Sequence, residues 1–340
     1  MRVFKAILFV TLIIVIVGGA YTYYVKHNSS ALPTFINAST LSKKYIIKKA
    51  GNIVAEADTE EEAISKAEKI KRSIAINTIN NEWVYNNFKP FFIVTDTAIH
   101  DFEDFKEAVS YAKTNNYDTI YYKDKTKIIW TKEKEEVKVE PLNVPLINQY
   151  PELPRGCEVT SLTMLLRYNN INVSKMILAQ EIKKDSTAYS RDEKGRIYYG
   201  NPYDGFVGDM YNINNNGYGV YHGPIAELAE KYAGDQVIDL TGIEFEEMMY
   251  FLKLGSPIWV ITNATYKSLD DSYFEIWHTP SGIVKTTNKL HAVIITGVDK
   301  NNVYINDPLS KRPNIAVNKD DFKKAWEQMG HQAVIILKQR

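Results

Sequence analysis

Cysteine is almost missing from this chain: Cys157 is the one thiol in 340 residues. A single cysteine cannot pair within its own chain, so no disulfide framework holds the fold. Charge of one sign is not in excess either, because Lys+Arg and Asp+Glu both number 41. With no net charge and no dense basic block, a nucleic-acid partner is not indicated. The six histidines are scattered. They form neither a His-Glu-x-x-His motif nor a Cys/His cluster, so no metal and no other cofactor is expected. The length suits roughly two domains of about 150 residues, with ample size to bury a core.

What is present begins with Met1 to Val25, where Arg2 and Lys5 precede the uncharged run AILFVTLIIVIVGGAYTYYV. That run has about the length a helix needs to cross a bilayer. It reads as an N-terminal transmembrane anchor, with the cleaved signal peptide as the other reading, since Gly18-Gly19-Ala20 offers small residues for cleavage. Either reading exports the body. Arg2 and Lys5 hold the amino terminus in the cytoplasm for a single-pass anchor at the cell membrane, and a cleaved segment leaves the body secreted. Residues 26–43 read as a short stalk.

Residues 44–131 contain a weak internal repeat. Thr59 with Glu62 opens a helix carrying Ala63, Ile64, Ala67 and Ile70, and Asp101 to Asp104 begins a second carrying Phe105, Ala108, Val109 and Ala112. Each helix lies between β-rich runs, and the runs that follow contain Trp83 and Trp130. The expectation is one small α+β domain of two units, its paired tryptophans serving as core in preference to a glycan platform. Residues 132–141 alternate lysine with glutamate before Pro141 and read as a charged linker.

Cys157 follows the breaker-rich Pro154-Arg155-Gly156 and precedes Val159, Leu162 and Leu166, the spacing of one buried helical face. The thiol is therefore expected at a helix N-terminus, where free N–H groups and the helix dipole favour a thiolate. A lone cysteine is more often a small buried hydrophobe, so its partners decide. His291 opens an apolar run that turns at Asp299 to Asn302 and returns as a strand ending in Asp307-Pro308, a hairpin that brings Asp307 back towards His291. Thiolate, imidazole and carboxylate in this order, with a gap of about 130–150 residues, form the triad of papain-like enzymes. Gln149 adds a side-chain amide that, with the Cys157 N–H, can donate to an oxyanion.

The segments VPLINQYPELPRGCEVTSLTMLL, GNPYDGFVGDMY, DLTGIEFEEMMYFLKLGSPIWVIT and HAVIITGVDKNNVYINDPL together resemble the stand-alone papain-like cysteine peptidases related to the bacteriocin leader-processing peptidases, peptidase family C-thirty-nine-like. The likeness covers about Leu142 to Leu337. It implies an α+β papain-like cysteine peptidase domain over residues 142–340, with a Cys-bearing helix packed on an antiparallel sheet. It also implies Cys157 as nucleophile, His291 as general base, Asp307 as orienting acid and Gln149 as oxyanion donor. The broader family usually has Gly after the cysteine; here Glu158 stands in its place, which resembles a Gly-Cys-Glu subgroup.

Further residues complete the expectation. Glu158 leaves the helix about 100° from Cys157, so its like-charge effect on the thiolate is expected to be smaller than the help from a His291 imidazolium. Of Asn306 and Asp307, one faces His291, and Pro308 favours Asp307. The loop from Asp185 to Gly223 is read as a wall of the cleft that carries Tyr203, Phe206 and Tyr221. His222 and His278 are rival bases without a following acid. The function expected is a membrane-anchored, extracytoplasmic cysteine hydrolase acting on a peptide or cell-wall peptide. A transpeptidase or wall-peptide amidase of the same chemistry, and a silent binding module, are the alternatives.

Overall fold

The computed structural model describes residues 43–132 and 137–338. The anchor reading of residues 1–25 lies outside them. Among the described residues, no helix is long and apolar enough to cross a membrane. The chain divides into two compact units, Met1–Asn87 and Phe88–Arg340.

In the first unit, strands β1 (Tyr45–Lys49), β2 (Asn52–Ala57), β3 (Ser73–Asn77) and β4 (Trp83–Asn86) make an antiparallel sheet in the order β2-β1-β3-β4. Helix α1 (Glu60–Glu68) starts where Thr59 accepts the Glu62 N–H, satisfying a first-turn donor. Its Ala63 and Ala67 are small enough to sit flush on Tyr45, Ile47 and Ala75.

The second unit opens with the same plan. Strands β5 (Phe91–Val94), β6 (Ile99–Phe102), β7 (Thr119–Tyr122) and β8 (Asp124–Thr131) pair in the order β6-β5-β7-β8, and helix α2 (Phe105–Asn115) is capped by Asp104. This second copy of the repeat belongs to the larger unit, so the division falls at Asn87, inside the span read as one repeat domain. The reason is a shared core. Phe105 of α2 meets Phe251 edge-on with ring centroids 5.5 Å apart, and Trp130 is buried beside them.

The rest of the unit is built on a six-stranded antiparallel sheet. Its strands are β13 (Val237–Asp239), β14 (Ile258–Asn263), β17 (Leu290–Val298), β18 (Asn302–Asn306), β19 (Ile315–Asn318) and β20 (Ala333–Ile336), in the order β13-β20-β14-β17-β18-β19. Side chains alternate across a strand. Ile258, Val260, Val293 and Ile295 therefore enter one core, with α6 (Phe245–Lys253), α7 (Lys319–Gln328) and the second repeat. Trp259, Ile261, Ala292 and Ile294 enter the other, under α3 (Cys157–Tyr168), α4 (Lys175–Glu181) and α5 (His222–Ala233). Near-continuous burial along β14 and β17 follows from this covering on both faces.

The chain marks Ser174 as an N-cap, Thr241 with Glu244 as a capping box and Pro224 as the first residue of a helix, and the outcomes are mixed. Ser174 caps α4 by accepting the Ile177 N–H at 3.2 Å. The α6 capping pair is Glu244 with Glu247, whose carboxylate accepts the Glu244 N–H at 3.1 Å. Thr241 instead accepts the Ala333 N–H and so ties the loop to β20. Helix α5 starts at His222, ahead of Pro224. Between α4 and α5 the chain makes two-residue strands β9 (Lys184–Asp185), β10 (Ser190–Arg191), β11 (Ile197–Tyr198) and β12 (Phe206–Val207), and β10 and β11 extend the hairpin of β15 (Phe274–Thr279) and β16 (Gly282–Thr287).

Candidate active site

Helix α3 begins at Cys157 because the chain before it turns too tightly for any side chain. A Cβ on Gly156 would lie 2.5 Å from Leu153 Cβ. Gly156 is the N-cap and supplies no side-chain cap, so the first-turn N–H groups are left for other acceptors. Arg155 fastens this turn to the following loop by donating to the carbonyls of Asn212 and Ile213.

The sulfur is buried against β17. One turn along the helix Ser161 donates to the Ala292 carbonyl at 3.0 Å, and the thiol itself meets the Ala292 backbone, next to His291. His291 Nε2 bonds Asp307 Oδ1 at 2.7 Å, so the hairpin of β17 and β18 brings base and acid together. The ionised acid fixes the Nε2–H tautomer and leaves Nδ1 as the basic nitrogen. Burial acts upward on the Asp307 carboxyl, but the His291 bond and charge, the Leu309 N–H and the Tyr266 hydroxyl outweigh it and hold its pKa below the usual range. The Asp307 charge also reaches the Cys157 thiol.

Asn306, the alternative to Asp307, does other work. Its amide donates to the Val144 carbonyl and accepts the Asn314 N–H, each at 2.8 Å, which anchors the strand that leads to Gln149. Gln149 is buried, and one Nε2 hydrogen goes to the Pro154 carbonyl at 3.0 Å. Since that carbonyl can only accept, the amide orientation is set and Nε2 has a second hydrogen to donate. Its backbone is held as well: Gln149 N–H donates to Pro308 and Lys175 donates to the Asn148 and Gln149 carbonyls.

Glu158 departs from the expectation. Its carboxylate curls back to accept the Cys157 thiol at 3.3 Å. The 100° rotation describes the Cβ vectors, whereas the longer glutamate side chain bends its oxygens to the sulfur. Burial, then the Glu158 charge, push the Cys157 pKa well above the ordinary thiol value, with the Ala292 backbone opposing. The helix terminus alone therefore does not set the thiol. Burial likewise raises Glu158 itself, to about 7.

Other expected residues are placed as follows. Phe206 and Tyr221 are buried core, with Tyr221 bonded to the Tyr218 hydroxyl, while Tyr203 is exposed and packs edge-on to Tyr221. His222 opens helix α5, not a strand, and its Nδ1 bonds Asp239 at 2.5 Å across a tertiary contact with β13 that no local motif marks. His278 packs its ring on Tyr198. Tyr266, whose hydroxyl reaches Asp307 Oδ2 at 2.7 Å, carries no sequence signal at all.

With this geometry in view, comparison with known proteins decides the family. Residues 141–334 match the Peptidase_C39 like family. The chain belongs to it. It is also 44% identical over 209 residues to the uncharacterized protein YvpB of Bacillus subtilis (strain 168), covering 60% of this chain and 80% of that protein. A crystal structure from Bacillus anthracis, described provisionally as a C39-like peptidase, superposes with a TM-score of 0.55 at 46% identity. It covers 60% of this chain and 98% of its own.

Proposed function

We propose that this C39-like chain is a cysteine hydrolase that cleaves a peptide or amide bond through an acyl-enzyme on Cys157. The observation that carries the reading is the His291–Asp307 bond of 2.7 Å, formed beside the strand residue against which the Cys157 sulfur rests. A buried thiol alone is inert, but a thiol next to a tautomer-fixed imidazole has a route for its proton.

The steps follow from the atoms. The thiol proton passes to His291 Nδ1, and the thiolate attacks the carbonyl carbon. The Cys157 N–H and the second Gln149 Nε2 hydrogen stabilise the oxyanion. His291 then protonates the leaving amine, and the same nitrogen takes a proton from the water that hydrolyses the thioester. An amine in place of that water makes the reaction a transpeptidation. The proposal includes an extracytoplasmic site, because Arg2 and Lys5 before an uncharged run favour export of the body.

Incubating the full chain with linear peptides and cell-wall peptides, then trapping acyl-enzyme by acid quench and intact mass, tests the reading. A mass adduct on the parent that Cys157→Ala lacks is expected. Cleavage by Cys157→Ala at the parent rate would refute it.

A further inference from the structure

Glu158 is seated more exactly than a solvated first-turn acid needs to be. It is fully buried: Oε1 accepts the Val220 N–H at 3.1 Å, and Oε2 accepts the Cys157 thiol at 3.3 Å. The cradle is shaped for it, since a Cβ on Gly219 would lie 2.1 Å from Oε1 and 2.5 Å from Leu290 Cδ2. On the main chain, Trp259 Nε1 donates to the Glu158 carbonyl at 3.0 Å and locks the first turn of α3 to β14. Among the described residues no cation pairs with this carboxyl. The titratable groups around it are Cys157 on its own helix, His291 on β17, and the phenols Tyr218 and Tyr221 from the loop ahead of α5. Burial holds both phenols neutral, so His291 is the one group there that can carry positive charge.

An ionised Glu158 and a Cys157 thiolate cannot share this space without repulsion between two unscreened anions. In the resting pair the thiol donates to the carboxylate, which keeps the proton on sulfur. A neutral Glu158 reverses the bond: its own O–H donates to the sulfur, and the former thiol proton sits on His291 as imidazolium.

We propose that Glu158 is a catalytic residue that acts as a neutral acid, hydrogen-bonding the Cys157 thiolate when protonated and quenching the nucleophile when ionised. This rests on the reading of Cys157 as nucleophile. No bond other than O–H, S–H and N–H changes. Glu158 takes its proton from solvent, and the sulfur gives its own to His291 Nδ1. A carboxyl raised to about 7 by burial makes that switch accessible near neutrality.

The test is the pH dependence of iodoacetamide alkylation at Cys157, measured on the full chain by peptide mass, for the parent and for Glu158→Gln. Glutamine keeps the Val220 bond through its oxygen and offers an amide N–H to the sulfur at every pH. In the parent the rate is expected to fall as pH rises through neutrality, and in Glu158→Gln that fall should be absent or shifted up by at least about one pH unit. Rapid alkylation with superimposable profiles would overturn the role of Glu158 and leave the nucleophile intact. Alkylation no faster than a free thiol at every pH, in both proteins, would overturn the nucleophile and this proposal together. A measurement on the parent alone does not depend on the variant folding: infrared difference spectra should show a protonated carboxyl band that titrates near neutrality and shifts when Cys157 is alkylated. A band that ignores alkylation would refute the pairing.

Discussion

The Tyr266 hydroxyl donates to Asp307 Oδ2 at 2.7 Å while His291 holds Oδ1 of the same carboxylate. Three donors thus converge on one acid, the third being the Leu309 N–H. Tyr266 is itself pushed up by burial and by the Asp307 charge, so it remains a donor throughout the working range. Its ring stacks on Phe322, which keeps the hydroxyl in place. Its hydroxyl is committed to the acid.

Tyr266→Phe is therefore expected to lower turnover about tenfold with little change in KM, since a bond to a charged acceptor is worth roughly 1.5–3 kcal/mol and part of it persists through His291. Losing a donor raises the Asp307 pKa. Stability and activity that are present above the unfolded carboxylate value and lost as pH falls through the folded one will then be lost at a higher pH. A pH-rate profile whose acid limb stays in place would show that Tyr266 only packs.

Cys157→Ala and His291→Ala should each lower turnover by more than about a thousandfold, and the double variant should be scarcely worse, because nucleophile and base act as one unit. Asp307→Ala should be milder, since the imidazole loses orientation but not its basic nitrogen. Single-turnover rates on a cleaved peptide check this. Additive losses in the double variant would separate the two residues.

Gln149→Ala should cost about a hundredfold or more in kcat if its second Nε2 hydrogen meets the oxyanion. Gln149→Glu is the sharper variant. It keeps the shape but loses the donor and sets a carboxylate against the Pro154 carbonyl, which now contacts Nε2 at 3.0 Å. Both should bind substrate as the parent does. A loss confined to KM would remove Gln149 from the oxyanion role.

The helix start at Cys157 and the His291–Asp307 bond were legible because each residue is marked locally: a unique thiol after a turn, a histidine opening a strand, an acid before proline. Asp299 accepts the Asn301 and Asn302 N–H groups at 2.7 Å, so the turn that joins His291 to Asp307 was also written in the chain. Tyr266 and the His222–Asp239 pair were not legible, because tertiary packing alone joins them to their partners. The contact of Glu158 with the sulfur was missed for another reason. Helical periodicity places Cβ atoms, and three further rotatable bonds decide where a carboxylate ends. The repeat was visible as a pattern of alanines, but an apolar helix face does not say which surface will cover it.

Glu158 also makes a prediction about stability. Its folded pKa of about 7 lies above the ordinary 4.5, so the folded state prefers the neutral acid. That contribution is complete below the unfolded value and is lost as pH rises through about 7, a cost on the order of 3 kcal/mol for a buried group. Urea midpoints of the parent should fall from mildly acidic to mildly alkaline pH, and those of Glu158→Gln should fall less. Parallel pH dependences would mean that Glu158 does not titrate in this range.

The second repeat should be inseparable from the peptidase fold. Glu247 on α6 is 1% exposed at its side chain, and it is held by Lys113 at 2.8 Å and by the Trp130 indole at 3.3 Å, both from the repeat. Phe105 covers Phe251 on the same helix. Deleting residues 88–131 strips two partners from a buried carboxylate and uncovers an aromatic whose burial alone is worth roughly 1.5–3 kcal/mol. Against a total stability of about 5–15 kcal/mol, such losses unfold a domain or leave it aggregating. A chain that begins at Phe88 keeps all of these contacts, and its own core is intact without residues 1–87. Thermal melts should show a cooperative transition for the chain from Phe88 and none, or one far lower, for the chain from Leu142. Equal melting of the two would mean that the peptidase sheet and its helices fold without the repeat.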